Sequence, residues 1–554
     1  MRAVAMPAAA LMVLLALAAC DRSPAPASSS AAADPAAAQR IEADVRFLAD
    51  DKLEGRETGT RGYDLAADYV AKRYAQIGLQ PAGDGGTFFQ QVPLLKATRE
   101  QAGAKFEIVR GGRTIALRFK DQYLPSLNYN TTAHALTAPA VFVGQGVHAP
   151  ELQHDDFAGV DLQDKIAVVF SGAPERFDND RRAFYSSSRE KLRALVERGA
   201  VGVVYVNTAE DEARQPWSRS SASWDKPGMR LRGVDGRGID TFPQLQAIAY
   251  VAASAADLVF ADGPQTAAQL FDAAEAGTLK PFALPGTITL AGRTRIEPAQ
   301  SRNVVAKLAG SDMKLGAESI VYTAHLDHLG TGAPVKGDRI YNGALDNALG
   351  VSILLEAARE LTASKPRPKR SLLFVALTAE EKGLLGAEWF ATHPTAPNGT
   401  LVANINMDMP VLLAPTRDVV PIGVEHSTLQ PAMAAAAKET GVALSPDPFP
   451  EEVVFVRSDQ YAFIRAGIPA VYLDGGVAAA GKGPDPKAAL RDFLRNCYHQ
   501  PCDDVSQPIQ YGDAARLARL NARIGVLVGD ARERPRWNSG DFFGEKFAKT
   551  APAQ

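Results

Sequence analysis

Five short segments in the second half of this chain carry histidine and acidic side chains at places where an α/β protein puts chemistry. They are His325-Leu-Asp327, Asp346-Asn347, Glu380-Glu381, Asp408 and His499. Imidazole and carboxylate are the usual oxygen and nitrogen donors for divalent metal ions. Ser319-Ile-Val-Tyr-Thr-Ala-His325 reads as a buried strand. His325 and Asp327 stand two residues apart, so strand periodicity puts both on one face at its carboxyl end. One could bind a metal while the other ligates or fixes the ring from behind. Asp346 lies in a loop leading into the helical pattern Val351-Ser-Ile-Leu-Leu-Glu-Ala-Ala-Arg-Glu-Leu. A carboxylate there can bridge two cations, and it would serve equally as an ordinary helix N-cap.

Glu380-Glu381 follows a second buried strand, Ser371-Leu-Leu-Phe-Val-Ala-Leu-Thr378. Adjacent carboxylates repel one another unless cations or a shared proton offset the cost. Such a pair can supply a metal ligand and a general base together, although alone it reads as a solvated helix start. Asp408 closes the strand Leu401-Val-Ala-Asn-Ile-Asn-Met-Asp408, and His499 lies in a Tyr-His-Gln-Pro loop. A lone His or Asp says little. The same placement repeated along the chain points to a metal centre.

These stretches resemble the co-catalytic zinc peptidases that include bacterial leucyl aminopeptidases and glutamate carboxypeptidase. The matching segments are Ala324-His-Leu-Asp-His-Leu-Gly330, Gly343-Ala-Leu-Asp-Asn-Ala-Leu-Gly350, Thr378-Ala-Glu-Glu-Lys-Gly-Leu-Leu-Gly386, Asn406-Met-Asp408 and Tyr498-His-Gln-Pro501. The resemblance implies two zinc ions, with manganese or cobalt also suited to such donors. His325 and Asp408 would hold one ion, Glu381 and His499 the other, and Asp346 would bridge them. Glu380 would be the general base and Asp327 would orient His325. It further implies an aminopeptidase acting on peptides with a free N-terminus. A carboxypeptidase and a single-zinc glutaminyl cyclase are the rival activities, and a non-catalytic relative would be expected to lose ligands that are all present here. Many relatives carry Ser-Asp-His where this chain has Ser458-Asp459-Gln460, and Gln460 reads as a helix-cap or core residue. His328 is assigned to loop packing or an outer contact, and His134, His148 and His154 are not read as ligands.

The implied architecture is α/β: a mixed, mostly parallel sheet flanked by helices, with an inserted β-rich domain of the protease-associated type. With 554 residues, 46% hydrophobic and 22% charged, the chain is long enough for several domains with ample core. Its formal charge of -3 argues against a general nucleic-acid binder. Two helices are expected within residues 41–79, separated by the Gly-punctuated loop Leu53-Glu-Gly-Arg-Glu-Thr-Gly. From about residue 135 short β-rich runs take over: Ala140-Val-Phe-Val-Gly, Lys165-Ile-Ala-Val-Val-Phe and Val201-Gly-Val-Val-Tyr-Val. The expected divisions are residues 39–130 as the first part of the peptidase domain, 131–298 as the insert and 299–554 as its main part. Within the insert, the polar, Arg-rich stretch Ser218 to Gly238 reads as a solvated loop or a lid. The tail with Trp537 and Phe542-Phe543 is expected to pack on the body.

Residues 1–20 combine Arg2, an apolar run too short to span a bilayer and Leu17-Ala-Ala-Cys20. This resembles a bacterial lipoprotein leader, with Cys20 as the lipidated residue. Residues 21–38, rich in Ser, Ala and Pro, would be the flexible tether. The expected setting is an exported protein held to a membrane by its lipid and facing the periplasm or cell exterior. A plain signal peptide with an incidental Cys is the alternative. Cys497 and Cys502 flank His499. In an oxidising compartment they read as a disulfide closing that loop, with free thiols or a metal site as alternatives.

Overall fold

The structure, a computed structural model, describes residues 34–395 and 400–548. The leader, Cys20 and most of the tether lie outside the described residues. Strands Glu318–His325, Ser371–Leu377, Thr400–Asn406 and Ala470–Asp474 run parallel, and the last pairs antiparallel with Asp418–Ile422. On the other side, the 27-residue strand Phe282–Leu308 pairs antiparallel with Ser371–Leu377. This is the expected mixed, mostly parallel sheet.

Every residue of Ser371–Leu377 is buried, as parallel strands covered on both faces require. Alternate residues then serve opposite cores. Leu372, Phe374 and Ala376, with Ile320, Tyr322 and Ala324, pack against helices Pro35–Leu48, Arg61–Ile77, Gly350–Ala363 and Tyr511–Asp530. Leu373, Val375 and Leu377 face Ala387 and Phe390 of helix Leu385–Thr392 and Ala462 and Phe463 of helix Gln460–Arg465. With both faces filled, functional groups are left to the carboxyl edge of the sheet.

The β-rich insert continues the same sheet. Ala133–Phe142 pairs with the first half of Phe282–Leu308, and Ile166–Phe170, Gly202–Val206 and Ala247–Val251 follow in parallel. Residues on both sides of position 131 share one core. Phe106, Ile108, Leu117 and Tyr123 pack with Phe142, Phe170 and Phe260, and Tyr123–Pro125 pairs with Ala247–Val251. The long strand Phe282–Leu308 likewise runs unbroken through the 298/299 division. The change of composition near residue 135 marks where parallel strands start, whereas the antiparallel ribbon Phe89–Arg110 with Thr287–Val304 carries the layer across that point.

The Arg-rich stretch is tied down. Gly228–Leu231 pairs with Leu94–Ala97, and the Lys226 ammonium donates to the Thr331 carbonyl at 2.8 Å. Phe542 and Phe543 of the tail are buried with Phe184 of the insert and with Phe455, Tyr461 and Tyr472. Among the described residues no helix is long and apolar enough to cross a membrane.

Candidate metal centre

His325 ends its strand, and its buried ring is held by a main-chain oxygen. Nδ1 lies 3.1 Å from the Asp327 carbonyl, which leaves Nε2 facing Oδ1 of Asp408 at 2.9 Å and Oδ1 of Asp346 at 3.2 Å. With the Nδ1 proton on the carbonyl, Nε2 keeps its lone pair for a ligand. The Asp327 carboxylate, expected to orient this ring, points elsewhere. Its oxygens accept from the Thr58 hydroxyl at 2.9 Å and from the Glu380 amide at 3.1 Å. Asp327 therefore acts on the ring through its backbone and on the Glu380 turn through its side chain.

Asp346 sits in the buried turn Ala344–Leu349 ahead of helix Gly350–Ala363. It does not cap that helix. The Asn347 side chain braces the turn, with Oδ1 accepting from the Gly350 and Met409 amides, both at 3.0 Å, while its Nδ2 donates to the Met407 carbonyl. Asn347 thus ties the Asp346 turn to the Asp408 segment. Asp503, buried, accepts from the amides of Leu345 at 2.8 Å and Asp346 at 3.0 Å. The Asp346 carboxylate is left to face the histidines. Its Oδ1 meets His325 and its Oδ2 meets Nε2 of His499, each at 3.2 Å.

His499, at φ 58°, lies in the turn after helix Pro486–Asn496, where a disulfide joins Cys497 to Cys502. Its Nε2 stands 3.3 Å from Oε2 of Glu381. Burial lowers the affinity of this ring for a proton, but Glu381 and Asp346 outweigh it and raise His499 to about 10. Glu381, despite burial and the neighbouring Asp346, is held at about 2 by His499 and His328. Glu380, partly exposed, is pushed well above the usual carboxylate range by burial and by Asp408, Glu381 and Asp459, against His325.

His328 was set aside in the sequence, yet it belongs to this cluster. Fully buried, its Nδ1 lies 2.8 Å from Oε1 of Glu381 and 3.8 Å from Asp346. The signal was present in the spacing His325-x-x-His328 directly after the strand end. Gln460 is structural, as expected: it accepts from Asn406 at 2.8 Å and donates to the Val454 and Phe455 carbonyls. His148 and His154 face Asp155 and Asp156 within the insert and take no part.

The donors fit a metal. A tetrahedral zinc with bonds of about 2.0–2.1 Å sets neighbouring donor atoms roughly 3.3 Å apart. The four donor pairs around Asp346 measure 2.9, 3.2, 3.2 and 3.3 Å. His325, Asp346 and Asp408 form one group able to hold an ion, and His328, Asp346 and Glu381 another. Both contain Asp346. Asp327, Glu380, Glu381, Asp346 and Asp408 outnumber the three histidines, and such crowding of carboxylates is costly unless cations offset it.

A mostly parallel sheet that gathers histidine and carboxylate donors at its carboxyl edge defines an α/β protein with a candidate metal centre. Residues 303–524 match the model of peptidase family M28. An aminopeptidase from Aneurinibacillus sp. strain AM-1 shares the fold, with a TM-score of 0.52 at 20% identity over 90% of this chain and 98% of that one. Aminopeptidase Y of Saccharomyces cerevisiae is 30% identical over 173 residues, 30% of this chain and 29% of that protein. A vacuolar membrane protease of Yarrowia lipolytica is 33% identical over 108 residues, 19% of this chain and 10% of that protein. The chain therefore matches less than a third of the length of these curated relatives.

Proposed function

We propose that this protein is a zinc-dependent exopeptidase that removes N-terminal residues from peptides. The observation that carries this is the pair of donor groups meeting at Asp346, with Glu380 beside them. In this reading His325 and Asp408 would hold one zinc ion, Glu381 and His499 would hold the other, and Asp346 would serve both. Bound there, the ions would lower the pKa of a water and polarise the scissile carbonyl. Glu380 takes the proton from the attacking water at its carboxylate oxygen and hands it to the leaving amine nitrogen. Its turn is fixed for this by the Asp327 carboxylate on its amide.

With zinc bound, Asp346, Glu381 and Asp408 would be taken up as ligands, which leaves Glu380 as the free carboxylate beside the ions. Arg56, a buried cation beside the centre, gives its N–H groups to main-chain carbonyls. Arg56 is therefore not free to serve as the cationic pocket that a carboxypeptidase needs. Aminopeptidases among the proteins of similar fold and partial sequence likeness support the same choice.

The deciding experiment is hydrolysis of aminoacyl-anilides beside N-blocked peptides, repeated after chelation and after zinc return. Activity that needs a free amine, disappears with chelator and returns with zinc is the expected result. Cleavage confined to blocked or C-terminal substrates would move the assignment to carboxypeptidase.

The setting we propose is an exported lipoprotein anchored through Cys20. Cys20→Ala is expected to release the protein from membranes, as followed by fractionation. Unchanged membrane association would end the lipid-anchor reading.

A further inference from the structure

The loop Leu53-Glu-Gly-Arg56-Glu-Thr-Gly is remote in sequence from every ligand, yet it touches the segments that carry most of them. Arg56 is 1% exposed. Its Nε donates to the Leu326 carbonyl at 2.9 Å, Nη1 to the carbonyls of Asn342 at 2.6 Å and Leu48, and Nη2 to that of Gly343 at 3.0 Å. Leu326 follows His325, and Asn342-Gly343 lead into the turn that holds Asp346. The Arg56 carbonyl accepts from the His328 amide at 3.2 Å. Glu57 pairs with Lys382, the residue after Glu381, at 2.8 Å. Thr58 bonds the Asp327 carboxylate, whose other oxygen holds the Glu380 amide. The approach is close enough to need glycine: a Cβ on Gly55, at φ 70°, would stand 2.4 Å from the Tyr341 carbonyl oxygen and 2.5 Å from that of Gly330.

These hydrogen-bond partners of Arg56 are all neutral carbonyls. Carbonyls alone compensate poorly for burying a full charge, so negative groups nearby must supply the rest. Asp503, Asp346, Asp327 and Glu381 are the carboxylates whose field acts on it. The guanidinium fork can serve several loops at once, which a lysine ammonium cannot reproduce.

We propose that Arg56 and Thr58 are positioning residues of the metal centre, holding the His325, Asp346 and Glu380 turns in ligand geometry and balancing their carboxylates. This rests on the metal-centre reading above. Neither residue touches the donor atoms, so each acts through the backbone or through Asp327.

The test is zinc affinity, measured by competition with a chromophoric chelator on the full-length protein, alongside thermal melts and hydrolysis at saturating zinc. Thr58→Val conserves volume and removes one hydroxyl. It is expected to melt close to wild type and to lose zinc affinity about 10–100-fold, the usual scale for groups that support metal ligands. Thr58→Ser should restore it. Arg56→Lys keeps the charge but not the fork and should lose affinity on the same scale. Guanidinium added to Arg56→Ala should recover zinc binding. Wild-type affinity in Thr58→Val and in folded Arg56→Lys would overturn the proposal, and if the Arg56 variants do not fold, Thr58→Val alone decides it. A wild-type protein that binds no zinc and hydrolyses nothing would instead defeat the metallopeptidase reading.

Discussion

Glu380→Gln is expected to lower kcat by about 10²–10⁴-fold, the range in which a positioned general base contributes, while zinc content stays at the wild-type level. The two side chains have one shape, and the Glu380 amide that Asp327 holds is untouched by the change. Glu380 makes none of the donor contacts that centre on Asp346, whereas Glu381 lies against His499 and His328. An amide cannot accept the proton of the attacking water, so the loss falls on the chemical step and KM should move little. Burial and three neighbouring carboxylates raise Glu380 well above its usual range, so its proton affinity is higher than that of a free carboxylate. Kinetics on an aminoacyl-anilide with parallel metal analysis would check this. Ordinary turnover in a zinc-loaded variant would remove Glu380 from the base role. Loss of zinc with loss of activity would make it a ligand or a structural support instead.

The candidate ligand positions stand out in the sequence because each lies where a β-like run ends or a helix-like run begins, a pattern visible without tertiary information. His325 after Ser319–Ala324, Glu380-Glu381 after Ser371–Thr378 and Asp408 after Leu401–Met407 all occupy the carboxyl edge that the sheet forms. What stayed hidden depends on distant pairing. Asp503 and Arg56 meet the Asp346 turn across 157 and 286 residues of chain. No periodicity in either neighbourhood announces that. His328, read as loop packing or an outer contact, makes that contact with Glu381: strand alternation ends at His325, and the turn that follows swings the ring back onto it. Of the two roles open to Asp346, the capping one is not taken up: Asn347, one residue further on, is the side chain whose oxygen accepts from the Gly350 amide. A continuous antiparallel ribbon, Phe89–Arg110 with Thr287–Val304, crosses the proposed divisions and has no composition break where it does so.

Asp346→Ala is expected to remove both metal sites together, taking zinc from two ions per chain toward none and hydrolysis with it. The reason is geometric. One carboxylate presents Oδ1 to the His325 and Asp408 side and Oδ2 to the His499 and Glu381 side, at 3.2 Å from each ring. Among the described residues, Asp346 is the member common to both donor groups. Glu381→Ala, by contrast, removes a donor from one side only and should leave the His325–Asp346–Asp408 group able to hold an ion. Asp346→Asn separates charge from shape, since it keeps the turn and its bonds to Asp503 but gives up the negative charge shared by two cations. Metal analysis of the three variants after equal dialysis against zinc would order them. Asp346→Ala should hold least, Glu381→Ala about one ion, and Asp346→Asn no more than Glu381→Ala. Retention of two ions by Asp346→Ala would refute the bridging role and would require two independent sites, with His328 completing the second in place of the shared carboxylate.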